Sequence, residues 1–254
     1  MEVVSAAAES PVKMKSSEYP FGTLVNGIFV DYDKKGFVLA TNLGFQIYKL
    51  SAKGCFLEKV VNEEVFNQGL NYALRFFQTN VFLISPDTTD ESLPLRTNCI
   101  YAWDLENKTI IGSYACEEKI RKIVPFKTLI LAVQKCKVLA FEVKSGEKYT
   151  IFEGKDFLDA DVVSFKGRRQ MIAIVDSAMG ELILMGHAFD HFTRFPFKSD
   201  CIHFISFSDD ARYLMAANRV SCKVYETEKF EEKLEFNAKF PLLSKLLPAD
   251  TRYV

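Results

Sequence analysis

The stretch GFVLATNLGFQIYKL, residues 36–50, contains two short apolar runs on either side of a polar turn. Phe37–Ala40 forms the first run and Phe45–Leu50 the second, with Thr41, Asn42 and Gly44 in the turn. Short runs of aromatic and aliphatic side chains bounded by Asn and Gly are typical of β-strands joined as a hairpin. The stretch therefore predicts two antiparallel strands and contains no group suited to catalysis.

Similar strands return further along the chain, most of them with an aromatic residue near the end and a polar residue after it. The copies are GFQIYKL, NCIYAWDL, CKVLAFEV and SCKVYET, together with GELILMG, which lacks the aromatic residue. Their spacing centres on roughly 40 residues, the period of a four-stranded propeller blade. The strand pairs between the copies are predicted at Ala73–Phe77 with Val81–Ile84, Ile120–Pro125 with Leu129–Val133, Val162–Phe165 with Met171–Val175, and Ile202–Phe207 with Tyr213–Ala217. The sequence predicts an all-β fold, a WD40-type β-propeller with about five recognisable blades.

The copy IHFISFSDDARYLMAAN shows the strand pattern most clearly. Ile205 and Phe207 alternate with Ser206 and Ser208, the period of two that places apolar side chains on one face of a strand. The Ser208–Arg212 turn has side chains that can bond their own backbone. A helix is excluded here because the apolar positions do not recur at intervals of three and four.

The chain is predicted to form one propeller domain over residues 21–240, between a disordered tail at 1–20 and a short tail at 241–254. The leucines of FPLLSKLLPADTRYV have the spacing of a short amphipathic helix. One irregular insertion, Ser85–Asn98, contains Pro86 and Pro94, which oppose continued sheet. We expect it to be a surface loop between two strands of the second blade.

Charge and cysteine usage restrict the functional class. The 32 basic and 33 acidic side chains leave a formal net charge of -1, which argues against a nucleic-acid partner. The six cysteines are dispersed without a C-x-x-C pair, and buried reduced thiols of a cytosolic protein are the simplest interpretation. No apolar run approaches the roughly 20 residues that cross a bilayer, so a cytoplasmic location is expected.

No catalytic or cofactor motif stands out. His187 and His191 are four apart, but they have no carboxylate or third histidine to complete a zinc site, so no metal is expected. His203 is interpreted as a core or interfacial histidine. The Arg168–Arg169 pair can clamp a phosphate, although a solvated hairpin turn explains it more simply. We therefore predict that the protein is not an enzyme and binds no cofactor.

With its blades in this order, the sequence resembles the PROPPIN family, WD40-type seven-bladed propellers that bind phosphoinositides and serve in autophagy. The resemblance begins with VDYDKKGFVLATNLGFQIYKL, which is similar to the family's first blade. It continues through LRFFQTNVFLIS, NCIYAWDLENKTIIGSY, IRKIVPFKTLILAVQKCKVLAFEV and SFSDDARYLMAAN in the expected order, over most of residues 21–240. Five blades against seven leave two explanations open: a truncated product, or a diverged member whose end is covered by a partner or by the leucine-rich tail.

The resemblance also implies a lipid site, and the sequence departs from it. The family carries a Phe/Leu-Arg-Arg-Gly motif at the close of the fifth blade, with each arginine serving one headgroup pocket. At the corresponding place this chain has Phe236, Asn237 and Ala238, so the charge-assisted bonds to phosphate are missing. The residues that the resemblance leaves for a weak, degenerate lipid site are Lys198, Ser199, Ser221, Lys223 and Lys239.

The resemblance implies a scaffold in autophagy or endosomal membrane traffic that binds autophagy or trafficking proteins. It would associate peripherally with phagophore or endosomal membranes that contain phosphatidylinositol 3-phosphate or 3,5-bisphosphate. The alternative is a propeller that serves as a protein-interaction platform with no membrane-lipid role. A cluster formed by Lys198, Lys223 and Lys239 would favour residual anion binding, and a dispersed arrangement would favour the platform.

Overall fold

The computed structural model describes residues 23–31, 35–50, 57–88, 92–165, 169–185, 192–196, 202–208, 210–218 and 221–237. The regular elements within these ranges are β-strands that form five four-stranded sheets. Within each sheet, strands that follow one another in the chain pair with one another, each antiparallel to the last. We number the sheets as blades 1 to 5 in chain order.

The strands of blades 1 and 2 are β1 (Val25–Val30), β2 (Gly36–Thr41), β3 (Gly44–Leu50), β4 (Leu57–Glu64), β5 (Leu70–Arg75), β6 (Val81–Pro86), β7 (Cys99–Asp104) and β8 (Thr109–Ala115). Those of blade 3 are β9 (Lys122–Phe126), β10 (Leu129–Val133), β11 (Lys137–Glu142) and β12 (Lys148–Glu153). Those of blades 4 and 5 are β13 (Phe157–Phe165), β14 (Arg169–Asp176), β15 (Glu181–Met185), β16 (Phe192–Pro196), β17 (Phe204–Phe207), β18 (Tyr213–Ala217), β19 (Ser221–Glu226) and β20 (Glu231–Asn237).

The hairpin predicted in residues 36–50 is present as β2 and β3, joined by a two-residue turn. Gly44, at the start of β3, has a φ of 143°, a conformation that a residue with a side chain rarely adopts. A Cβ atom at this position would also lie 2.1 Å from the backbone oxygen of Glu63 on β4. Glycine therefore allows the hairpin and the next strand to approach closely.

The core consists of four apolar layers, one between each pair of consecutive blades. Side chains of the central strands alternate between two layers because successive residues of a strand point to opposite faces. In β6, Phe82 and Ile84 pack toward blade 1, whereas Leu83 packs toward blade 3. A strand buried on both faces has a continuous apolar sequence, which explains the unbroken run of β6.

Consecutive blades contact each other mainly through their first strands. β5 packs against β1 and β2, β9 against β5, β13 against β9, and β17 against β13. The first strands thus lie next to one another along the inner side of the assembly, with the fourth strands at the rim. This arrangement confirms the prediction of an all-β, five-blade propeller.

The irregular insertion is a connection between β6 and β7 of the second blade, as predicted. Pro86 is the last residue of β6, so the loop begins two residues later than the composition indicated. Leu95 is 1% exposed, and the Gln68 side chain donates to its oxygen and accepts from its nitrogen at 2.9 and 3.1 Å. The loop therefore contributes to the core between blades 1 and 2.

Burial, as predicted for the cysteines, is found at three of the four that the structure describes. Cys99, Cys116 and Cys222 are buried free thiols, and Cys136 is partly exposed. Burial raises the pKa of the Cys116 thiol to about 12, which makes it unreactive at neutral pH.

Several predictions fall outside the described residues, namely those for the tails at 1–20 and 241–254 and for Cys55, Cys201, His187, His191 and Arg168. His203 is half-buried just before β17. In the part of the chain that is described, no helix has the length and apolar character of a membrane span. The same residues contain no group of three metal-ligating side chains.

Candidate functional site

The structure describes two of the five predicted lipid-site residues. Ser221 and Lys223 both lie on β19 of blade 5. Ser221 closes the turn before its strand, since its backbone nitrogen donates to Asn218 Oδ1 at 2.6 Å. Lys198, Ser199 and Lys239 lie outside the described ranges, so the prediction of a shared lysine cluster remains a prediction.

The ammonium group of Lys223 is already engaged by two carboxylates. Its Nζ lies 3.0 Å from Glu232 Oε2 and 3.5 Å from Glu235 Oε1, both on the neighbouring strand β20. The hydrogen bond to Glu232 raises the pKa of Lys223, while partial burial opposes this change. A phosphate that bound Lys223 would have to compete with these carboxylates and would be repelled by them.

The rim strand of blade 5 is acidic as a whole. Glu231, Glu232 and Glu235 are exposed on β20. Lys233, on the same strand, lies 2.9 Å from both Glu226 and Glu231. Glu232 and Glu235 thus place negative charge next to Lys223, where a phosphate site would need cations such as arginine.

A different surface stands out at the rim between blades 1 and 2. A shallow cavity of about 390 Å³ is lined by Asn62, Glu63, Glu64, Phe66, Trp103 and Lys108. We call this surface the blade 1–2 groove. Its walls are the rim strand β4, the turn that leads from blade 1 to blade 2, and the end of β7.

The groove combines an aromatic wall with charged groups. Phe66 is 48% exposed, and its ring packs edge-to-face on Trp103 with ring centroids 5.7 Å apart. Trp103 is 3% exposed, and its indole Nε1 is buried without an acceptor in the described part of the protein. Lys108 Nζ lies 3.4 Å from Glu63 Oε2. The groove is suited to binding and contains no arrangement of nucleophile and base.

The inner side of the propeller carries a second charged cluster. Asp159, on β13, accepts hydrogen bonds from Lys122 of blade 3 and from the backbone nitrogen of Ile205 of blade 5. Asp161, two residues later, accepts from the backbone nitrogen of Phe207 at 2.7 Å. The two carboxylates of β13 thus accept hydrogen bonds from the backbone of β17, the first strand of the next blade. Together with Lys122, the cluster joins blades 3, 4 and 5. We assign it a structural role.

Replacing Asp161 with asparagine is expected to raise stability at neutral pH, with a gain that vanishes in acid. Burial raises the pKa of Asp161, and the Lys122 ammonium only partly offsets this. In the unfolded chain the Asp161 carboxyl ionises near pH 3.9. Above that pH, ionisation stabilises the unfolded state, and the folded state ionises only at its higher pKa, so the wild type loses stability as the pH rises between the two values. Below that pH both states are protonated, and wild type and variant should converge. Denaturant unfolding from pH 7 to pH 3.5 measures this difference.

Asp104→Asn is the matched control because the shift has the opposite sign there. Hydrogen bonds from Asn107 lower the pKa of this exposed carboxyl. Its substitution should therefore reduce stability at neutral pH and should lose that effect as the pH falls. The same sign of change in both variants would contradict the assignment for Asp161.

Comparison with known proteins identifies the fold. No protein-family model matches the chain, and no curated protein sequence is significantly similar to it. Solved structures match with probability 1.00, among them Kluyveromyces lactis Hsv2, with a TM-score of 0.66 and 11% identity over 85% of this chain. Kluyveromyces marxianus Hsv2 gives a TM-score of 0.65 and 13% identity over 85%. Hsv2 is a PROPPIN. The chain has the fold of the PROPPIN propellers.

A third match is KlAtg21, another PROPPIN, solved in complex with the coiled coil of AgAtg16. Its TM-score is 0.64 at 13% identity, and the alignment covers 84% of this chain. The chain spans 63%, 66% and 70% of the length of these three PROPPIN chains, respectively. The resemblance expected from the order of the blades is therefore confirmed at the level of the fold.

Sequence reasoning toward the PROPPIN lipid site missed the blade 1–2 groove. Two signals for it were present in the sequence: Trp103 is the single tryptophan, and Phe66 stands directly before Asn67 in a turn. Neither signal places the two residues together, because their contact depends on how blade 2 packs on blade 1.

Proposed function

We propose that the chain is a PROPPIN-like propeller scaffold in autophagy or endosomal membrane traffic, and that it binds partner proteins. The observation that carries this proposal is the five-blade fold, which matches the solved Hsv2 and Atg21 propellers over most of the chain. Those propellers are non-enzymatic scaffolds, and the described surfaces of this chain offer grooves and strand edges for binding.

A protein partner is the best-supported ligand class. KlAtg21 was solved with a bound coiled coil, which demonstrates that a propeller of this fold can hold an autophagy protein. We propose that this chain likewise binds autophagy or trafficking proteins from the cytoplasm. Association with phagophore or endosomal membranes would then be peripheral and would depend on these partners.

We further propose that direct recognition of phosphatidylinositol 3-phosphate or 3,5-bisphosphate is weakened or lost. Asn237 and Ala238 occupy the places of the family's two arginines. Lys223, the described lysine of the predicted site, is bound by Glu232 and Glu235. These two observations favour a protein-interaction platform over a lipid-binding propeller.

We expect the purified chain to co-float no more with liposomes that contain phosphatidylinositol 3-phosphate than with liposomes that lack it. Circular dichroism of the same sample verifies that the protein is folded. The double variant Asn237→Arg with Ala238→Arg restores the paired arginines and should increase selective co-flotation. Selective co-flotation of the wild type would overturn the proposed loss of lipid recognition and would not affect the scaffold proposal.

The scaffold proposal is tested by partner capture in cells before and after autophagy is induced. The full chain is tagged and purified, and we expect it to enrich autophagy proteins with coiled-coil segments such as Atg16. The variant Ile111→Ala, which changes an exposed side chain, is tagged and used in parallel as the matched control bait. Absence of autophagy or trafficking proteins from the captured material, under conditions where the bait is folded, would overturn the proposal.

A further inference from the structure

Blade 5 has an apolar face that is turned away from blade 4. On the opposite side of its sheet, Leu214, Ala216 and Tyr225 belong to the apolar layer shared with blade 4. Because successive residues of a strand point to opposite faces, the residues that alternate with these three face the other way. They are Tyr213, Met215, Ala217, Cys222, Val224 and, through its pairing with Val224, Leu234. We call this surface the outer face of blade 5.

The outer face of blade 5 is partly exposed, and its charged groups lie at one end. Tyr213 is 42% exposed and Leu234 is 54% exposed. None of its apolar side chains belongs to the four layers that the described residues form between blades. Glu226, Glu231 and Lys233 pair with one another beside the β19–β20 turn. A contiguous apolar surface rimmed by charged groups marks a contact site in folded proteins.

The centre of the outer face is formed by small side chains. Ala217 and Cys222 pair across β18 and β19 and are only 5% and 7% exposed. Burial also raises the pKa of the Cys222 thiol. The larger Met215 and Val224 lie next to them in the same strands. Small residues between larger ones leave room for the apolar side chains of another segment, and the Cys222 thiol reports whether this centre is covered.

The segment that follows β20 has the composition and reach to cover this face. β20 ends at Asn237 on the edge of blade 5, and residues 238–254 lie outside the described ranges. The segment contains leucines at positions 242, 243, 246 and 247, the spacing of one face of a helix. Leu242 is five residues beyond Asn237, a reach of up to roughly 17 Å, whereas β18 to β20 span roughly 10 Å. The leucines can therefore reach the centre of the outer face directly from β20.

The charges of this segment complement those of the strand that precedes it. β20 carries three glutamates and one lysine, all of them exposed. The segment carries Lys239, Lys245 and Arg252 against one acidic residue, Asp250. A second copy of blade 5 on the same face would instead bring two acidic β20 strands together, and like charges oppose association. Charge therefore favours the chain's own segment as the occupant of this face.

We propose that residues 238–254 fold back over the outer face of blade 5, with their leucines packed over Cys222 and Val224. The basic side chains then lie beside the glutamates of β20. The segment takes the place that a further blade has in a longer propeller. It keeps the chain monomeric, because an uncovered apolar face promotes association. This inference is independent of the scaffold function proposed above.

Alkylation of Cys222 in the full chain tests whether the face is covered. The native protein is treated with N-ethylmaleimide, and mass spectrometry follows the labelling of each cysteine. The double variant Leu243→Glu with Leu246→Glu should label at Cys222 at least about tenfold faster than wild type, because a carboxylate without a partner is costly in an apolar contact. Ser244→Glu is the matched control, since it adds charge to the same segment but removes no leucine, and it should leave the rate unchanged.

Two further residues keep this test decisive. Cys116 lies in the layer between blades 2 and 3, so slow labelling at Cys116 verifies that the propeller stays folded in each variant. Leu234→Asp changes the outer face instead of the segment, at an exposed side chain, and should also accelerate the labelling of Cys222. Val60→Asp is its control because Val60 is 49% exposed on the rim strand β4 of blade 1. This change should leave Cys222 protected.

Light scattering and photo-crosslinking identify the occupant of the face. The wild type should have the mass of one chain, 28.9 kDa. The photoreactive residue p-benzoylphenylalanine in place of Leu243 should crosslink within one chain to β18, β19 or β20. A dimer that Leu234→Asp dissociates would assign the face to a second copy and overturn the proposal. Crosslinks to another blade, or equal labelling of Cys222 in the wild type and the leucine variant, would overturn it as well.

Discussion

Replacing Asp159 with alanine is expected to lower the free energy of unfolding by about 3 to 5 kcal/mol. Asp159 is 3% exposed and accepts hydrogen bonds from Lys122 Nζ and from Ile205 N. Its removal leaves the largely buried Lys122 ammonium without the carboxylate that it contacts, although Asp161 stays nearby, and leaves the Ile205 N–H without an acceptor. The loss should be measured by urea unfolding at pH 7, followed by circular dichroism.

Asp210→Ala is the control, because this carboxylate also forms an ion pair, with Arg212, but lies in solvent. Its distance to Arg212 Nε is 3.6 Å, and both side chains are more than half exposed. Exposed ion pairs contribute little, so the Asp210 variant should lose much less stability than the Asp159 variant. Similar losses in the two variants would contradict the proposed role of Asp159 in joining three blades.

The double variant Lys122→Met with Asp159→Ala separates the charge from the packing. Much of the cost of Asp159→Ala comes from the ammonium that stays behind, so removing both groups should cost less than the sum of the two single changes. An additive result would mean that Lys122 reaches water in the absence of Asp159.

The sequence was sufficient to predict the fold because propeller blades are built from local contacts. Within a blade each strand pairs with the one before it, so a hairpin such as β2–β3 is specified within a few residues by its alternating apolar side chains. Pro86 was the exception. It was expected to oppose sheet, yet it ends β6 opposite Leu70, at a bulge in the β5–β6 pairing where a sheet tolerates proline.

The inner cluster depended on contacts that a sequence does not display. Lys122 and Asp159 are 37 residues apart and meet only because β9 packs beside β13. Lys223 and Glu235, by contrast, face each other in the β19–β20 hairpin, so their pairing followed from the strand register. The basic residue of a lipid site was expected there without regard to its cross-strand partner.

The blade 1–2 groove could not be located from the residues alone for the same reason. Phe66 belongs to the turn after β4, and Trp103 to the end of β7. What the sequence does contain is a local conflict, because a turn whose two central residues both have positive φ, as Phe66 (53°) and Asn67 (52°) do, prefers asparagine or glycine at each. Such conflicts become informative only when the backbone of the turn is known.

Replacing Phe45 with alanine is expected to lower the free energy of unfolding by about 3 to 5 kcal/mol. Phe45 is fully buried in blade 1, and its ring stacks on Phe82 of blade 2 with centroids 4.8 Å apart. Truncation removes a large apolar side chain and leaves a cavity between the two blades, because the β-strands on either side cannot close the gap. Guanidinium unfolding of the whole chain measures the loss.

Ile111→Ala supplies the comparison, because Ile111 is 59% exposed on the rim strand β8 and its truncation should change stability by less than about 0.5 kcal/mol. The contrast tests more than one side chain. Phe45 and Phe82 belong to different sheets, so a large loss within a single transition requires that blades 1 and 2 unfold together. A small loss at Phe45, or separate transitions for the two blades, would contradict a core formed by layers between blades.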